Sequence, residues 1–232
     1  MKPTPISALP PSCFYVPNFI SLDEEQQILD GISRLPESKW TVLTHRRLLS
    51  LPSALTGAAS NTLVAAPMPT YLDPVVARLK QHEYFNETTH REPNHVLINE
   101  YKPGQGIMPH VDGPSYSPLT ATVSLASHTV LEIYRKNPHG ERETLPHWRI
   151  LQEPRSLLIT AGEMYETTLH GISEVTTDQD LSADKIVNWH LLGDTKPYQS
   201  GMAMRHTRIS LTFRDVVKVA KLGNAMKFLS KR

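Results

Sequence analysis

The stretch NEYKPGQGIMPHVDGPSY, residues 99–116, gathers Asn99, Tyr101, His110 and Asp112 around several prolines and glycines. His110 and Asp112 stand two positions apart, and in a strand such residues point to the same side. An imidazole and a carboxylate so placed can bind one metal ion. A second imidazole would complete a facial triad with three open coordination positions, the set used by non-haem Fe(II) oxygenases. Zinc accepts the same donors for hydrolysis.

The second imidazole must come from elsewhere in the chain. LLITAGEMYETTLHGIS, residues 157–173, ends in a His-Gly turn at His170, far enough from His110 for several strands to fold back. His95, His128 and His206 are also available. RHTRISLTFRDV, residues 205–216, adds a different signal. Alternation puts Arg208, Ser210, Thr212 and Arg214 on one face and Ile209, Leu211 and Phe213 on the other. The two arginines stand roughly 20 Å apart along a strand. Leaning toward each other, they leave room for a small dicarboxylate with a guanidinium at each end, paired as forks to carboxylates. Zinc hydrolysis gives no use for two such arginines. In HVLINEY, residues 95–101, Leu97, Asn99 and Tyr101 share a face, so an amide and a phenol can reach ligand oxygens.

These residues need a scaffold. Of 232 residues, 39% are hydrophobic and 20% charged, which fits one soluble globular domain and no fibrous or disordered class. The net charge of +1 neither requires nor excludes a nucleic-acid partner, because a total hides local patches. No apolar run spans a bilayer, so no membrane partner is expected. The N-terminus lacks the apolar core of a signal peptide, and the single Cys13 cannot form an internal disulfide. A cytoplasmic and nuclear monomer is therefore expected.

Residues 1–12, rich in proline, read as disordered, and 13–232 as a single domain. SLDEEQQILDGISRLP, residues 21–36, reads as a helix with a Ser21–Glu24 capping box. TYLDPVVARLKQHEYF, residues 70–85, reads as a second helix with Pro74 in its first turn. From residue 94 on, HVLINEY, TATVSLAS, TVLEIY, RSLLITA and TRISLTF form an antiparallel β pattern that suits a barrel or jelly roll. Residues 40–69 look loop-like, with short strand candidates such as WTVLT and several prolines. Residues 173–205 look like a long polar insertion, functional or mobile, and the basic tail beyond 216 like a short helix.

Asn99-x-Tyr101, His110-x-Asp112, His170 and Arg208-x-Ser210-x-Thr212-x-Arg214, in this order, resemble the AlkB family of Fe(II)- and 2-oxoglutarate-dependent dioxygenases. NEYKPGQGIMPHVDGP, SHTVLEIY and LHGI are most similar to its homologue-six subgroup. The resemblance implies a mainly β fold, a double-stranded β-helix (jelly roll) with flanking α-helices. It implies Fe(II) on His110, Asp112 and His170, and the distal carboxylate of 2-oxoglutarate on Arg208 and Tyr101. Arg214 and Asn99 would assist near the end that chelates the metal. Ser210 occupies a cofactor position where many relatives have Asn, and Pro114 one where several nucleic-acid demethylases carry an acidic residue. The implied reaction couples O2 and 2-oxoglutarate to demethylation of an alkylated nucleobase in DNA or RNA. Hydroxylation or demethylation of a protein or small molecule, or a weakly catalytic nucleic-acid-binding module, are the alternatives. The family's nucleotide lid falls on residues 40–69, where Arg46 and Arg47 would bind substrate through its phosphates, with the tail around Lys218 as the next candidate.

Overall fold

A computed structural model describes residues 3–57, 61–137 and 139–220. The chain begins with β1 (Thr4–Pro5), β2 (Cys13–Val16) and helix α1 (Leu22–Ser33), then β3 (Thr41–Leu43), β4 (Arg46–Leu51) and β5 (Thr62–Val64). Helix α2 (Asp73–Gln81) leads into β6 (His95–Tyr101), β7 (Ile107–His110), β8 (Leu119–Leu125) and β9 (Thr129–Tyr134). β10 (Trp148–Gln152), β11 (Leu157–Ala161), α3 (Gly162–Thr167) and β12 (Leu169–Ile172) follow. The C-terminal part holds β13 (Thr177–Asp178), β14 (Ala203–Met204), β15 (Arg208–Arg214) and β16 (Lys218–Ala220).

Two sheets make the jelly roll. The large one has the order β1-β2-β11-β8-β15-β6-β4-β3 and the small one β10-β9-β12-β7. Period-two alternation gives the large sheet two different faces. Val96, Ile98, Val123, Leu211 and Phe213 point outward into an apolar core shared with Ile28 and Ile32 of α1 and with Val75 and Leu79 of α2. Leu97, Asn99, Tyr101, Arg208, Ser210, Thr212 and Arg214 point inward and line a cavity between the sheets. Helix packing on one face thus frees the other for polar chemistry.

The helices follow the expected signals. In α1 the Ser21 hydroxyl accepts from the Glu24 N–H at 3.1 Å, and the Glu24 carboxylate accepts from the Ser21 N–H at 2.8 Å. Helix α2 is preceded by a 3-10 turn at Thr70–Leu72 and ends at Gln81, earlier than expected, where Glu83 takes a positive φ of 58°.

Three expectations fail. Residues 3–12 are not disordered: Thr4 and Pro5 pair with Tyr15 and Phe14, and Ile6 and Leu9 are buried. Residues 46–51 are not loop but a strand joined to β6 along its length. Residues 173–205 are not a mobile insertion. Leu181, Ile186 and Tyr198 pack on Val130 and Leu151, covering the outer face of the small sheet. The Asn188 side chain both donates to and accepts from the Leu151 backbone, as an added strand would. Arg205 grips Asp178 through two hydrogen bonds of 2.7 and 2.6 Å, both residues being buried. The expected tail helix lies outside the described residues beyond Ala220, and Lys218–Ala220 pair parallel to β5 instead.

Removing one partner of a buried ion pair strands the other charge, at a cost of about 3–5 kcal/mol. Asp178→Ala is therefore expected to lower the urea unfolding midpoint by that much stability. A loss under about 1 kcal/mol would mean that the segment over the small sheet is held by its apolar contacts alone.

Candidate metal centre and its cavity

The small sheet positions both imidazoles. His110 and His170 are direct cross-strand partners on β7 and β12, with ring centroids 4.4 Å apart. Gly171 lies inside β12 rather than in a turn. A Cβ there would stand 3.0 Å from the Ile107 carbonyl oxygen and from the Pro109 nitrogen, so any larger residue would push β7 away. Asp112 follows just after β7 ends. One donor atom from each of His110, Asp112 and His170 lies within 4.8 Å of the others.

Their surroundings prepare them as donors. The His110 Nδ1 lies 2.9 Å from the Met108 carbonyl oxygen, which can only accept, so Nδ1 donates and Nε2 is the nitrogen left to act as a ligand. Desolvation in the cavity pushes the His170 imidazole down to about 4, against the opposing pull of Asp112, so the ring is neutral at physiological pH. Arg214 donates to Asp112 Oδ1 at 2.6 Å and lies over the Tyr116 ring at 4.7 Å. That bond fixes the carboxylate and leaves Oδ2 for another partner.

The large sheet supplies a second polar centre in the same cavity, whose volume is about 470 Å³. Arg208 is 3% exposed. Its Nη2 donates to Ser124 Oγ at 2.8 Å and to Gln152 Oε1 at 3.2 Å, while its Nε has no partner. Among the described residues no carboxylate forms an ion pair with it. Burial pulls this guanidinium down to about 10. Tyr101, its cross-strand partner, lies beneath it with the ring centroid 6.0 Å away, and burial raises the phenol's pKa. Ser210 pairs across to Asn99 on β6 and Ser124 on β8, and all the expected cofactor residues line one cavity with the three metal-ligand candidates.

Arg46 and Arg47 part company. As neighbours in β4 they face opposite sides. Arg46 lines the cavity and its Nε donates to Asn99 Oδ1 at 3.2 Å. Arg47 forks onto Glu100 at 2.9 and 2.7 Å, reaches Glu37 and stacks 4.2 Å over Trp40. It therefore forms a structural ion pair on the outer side of the sheet. Gln152 and Ser124 escaped the sequence analysis. Their signal was alternation: Gln152 shares the inward face of β10 with Ile150, but the strand itself had not been recognised.

The residues present fit Fe(II) and 2-oxoglutarate. Two imidazoles and an oriented carboxylate form the facial donor set. A buried cation with an unpartnered Nε offers what a carboxylate ligand lacks. Leu131, Ile133, Leu158 and Met164 give the site an apolar wall.

Comparison with known proteins agrees. Residues 12–214 match the 2OG-Fe(II) oxygenase superfamily. Over 98% of its length the chain is 36% identical to the probable RNA/DNA demethylase ALKBH6 of Danio rerio, covering 94% of that protein. It is 29% identical to the tRNA (carboxymethyluridine(34)-5-O)-methyltransferase alkbh8 of Xenopus tropicalis, over 90% of this chain but 32% of that larger protein. The solved structure of OsALKBH1 shares the fold, with a TM-score of 0.58 at 15% identity, over 89% of this chain and 98% of that one.

His95, the cross-strand partner of Arg214, gives a test of the cavity's electrostatics. It is 1% exposed, both ring nitrogens lack partners, and burial, then Arg214, push it down to about 4. The unfolded chain binds the proton near pH 6.5, so between 6.5 and 4 the unfolded state holds more protons and stability falls as pH falls. The metal-free protein should lose about 3 kcal/mol through His95 across that window. In His95→Phe, urea unfolding measured from pH 7 to 4 should show that share of the slope gone.

Proposed function

The chain belongs to the 2OG-Fe(II) oxygenase superfamily, and from that premise we propose that it demethylates an N-alkylated nucleobase in DNA or RNA by oxidation. The observation that carries the chemistry is the cavity that joins the His110–Asp112–His170 cluster to the buried, uncompensated Arg208. The end-to-end likeness to a protein named as a probable RNA/DNA demethylase supports the substrate class.

His110, Asp112 and His170 hold Fe(II). Arg208 and the Tyr101 phenol hold the distal carboxylate of 2-oxoglutarate, with Ser124 and Gln152 fixing the guanidinium from behind. Arg214 keeps Asp112 turned toward the metal. The chemistry that Fe(II) and 2-oxoglutarate would supply there is reduction of O2, one oxygen atom going to succinate as CO2 leaves and the other into a C–H bond of the substrate. An N-methyl group thereby becomes N-hydroxymethyl, which loses formaldehyde and leaves N–H. The apolar wall of Leu131, Ile133, Leu158 and Met164 excludes water while this happens. The protein's contribution is position and dryness, and the redox chemistry belongs to the cofactors.

Mass spectrometry of N-methylated oligonucleotides incubated with Fe(II), 2-oxoglutarate and ascorbate should show loss of the methyl group with release of formaldehyde. Asp112→Ala should abolish both. Turnover of 2-oxoglutarate with every oligonucleotide unchanged would remove nucleic acid as the substrate and leave the oxygenase standing.

The Arg208 assignment has its own test. Arg208→Ala is expected to weaken 2-oxoglutarate binding by about 2–5 kcal/mol in titration calorimetry, and Arg208→Lys to restore only part of it. Gln152→Glu would hand Arg208 an internal carboxylate, so it should cut affinity about tenfold or more. Unchanged binding in Gln152→Glu would place the distal carboxylate elsewhere.

A further inference from the structure

Arg46, Arg208 and Arg214 bring three guanidiniums to the cavity, and Asp112 is the single carboxylate among its described lining residues. Asp112 is taken by Arg214. Arg208 awaits a carboxylate of 2-oxoglutarate. A divalent iron and a dianionic 2-oxoglutarate cancel in charge, so loading both leaves the cavity as cationic as before. Arg46 is the residue left over. It forms no ion pair among the described residues, and Asn99 Oδ1 is the acceptor the structure gives it, through Nε alone. Its Nη donors remain for a ligand.

The placement is rigid. Arg46 stands on β4, whose next residues pair one by one with β6, and its Nε is tied to an inward-facing residue of that neighbour. A guanidinium fixed at the wall of a partly desolvated cavity attracts acceptors and repels cations far more strongly than one in water.

We infer that Arg46 determines specificity: it donates to the exocyclic carbonyl oxygen of a neutral alkylated base and rejects alkylated bases whose ring carries a positive charge. This rests on the nucleobase reading above. The pair that separates the two classes is 3-methylthymine, neutral with two carbonyl oxygens, and 3-methylcytosine, a cation at neutral pH.

The test measures binding, not turnover. The full chain, loaded with Mn(II) and 2-oxoglutarate without O2, is titrated with two oligonucleotides that differ only in that base. Wild type should bind the 3-methylthymine strand about tenfold more tightly, the discrimination expected of a good contact to a base edge. Arg46→Gln should bring the two within about threefold, and Arg46→Glu should reverse the order. The same preference in wild type and Arg46→Glu, or a wild type that prefers 3-methylcytosine, overturns the inference. A second arm follows the Arg46 Nε–H signal by NMR while the free bases are added. If neither oligonucleotide binds but free 3-methylthymine shifts that signal and 3-methylcytosine does not, the nucleic-acid reading fails and the role of Arg46 stands. If the oligonucleotides bind and the signal responds to neither base, the role of Arg46 falls and the nucleic-acid reading stands.

Discussion

A guanidinium buried without a counter-ion is unfavourable, and Arg208 is held in that state. Only a framework stable without its help can keep it there. The outer face of the large sheet provides one, packing Leu211 and Phe213 of the arginine's own strand against two helices. The neutral oxygens of Ser124 and Gln152 satisfy part of the guanidinium without cancelling its charge. The unmet demand of Arg208 is thus an affinity for carboxylate, stored in the fold. The same strand ends in Arg214, whose charge is met by Asp112, so one strand carries a cation that waits for a ligand and another that orients one.

The division of labour between the sheets follows from this. The small sheet offers donors with lone pairs, the large sheet offers cations, and the cavity between them is where the two meet. The segment from residue 173 to 205 joins the His170 strand to the Arg208 strand. It is packed down on Val130 and Leu151 and closed by the Arg205–Asp178 pair. It reads as a loop in sequence because its apolar residues, such as Leu181, Ile186 and Tyr198, are too widely spaced to show a period. Burial against an existing sheet face needs no period.

Strands with clear alternation were legible, and they carried most of the site. HVLINEY and TRISLTF give the faces of β6 and β15 directly, and with them Asn99, Tyr101, Arg208, Ser210 and Arg214. β7, β10 and β12 were not legible. β7 is four residues long and contains Pro109, and β12 contains Gly171, which signals a turn until the close approach of β7 is known. Missing β10 hid Gln152, whose role depends on which way it faces. The inward position of Arg46 was hidden for a related reason, since a pair of arginines looks like a solvated patch when its strand is unseen.

That strand, RRLLSL, carries two like residues side by side at two places, Arg46–Arg47 and Leu48–Leu49. A slip of one residue would turn Arg47 to the cavity in place of Arg46 and Leu48 to the core in place of Leu49, like for like, but it would also turn Ser50 to the core in place of the buried Leu51. Hydrophobic patterning therefore holds the alignment here through one position, Leu51, rather than along the whole strand. Charge adds to it: in the observed alignment Arg47 forks onto Glu100, backed by Glu37 and Trp40. An ion pair on the outside of the protein thus works with Leu51 to decide which arginine meets the cavity, and part of the alignment at this edge depends on salt and on Glu100.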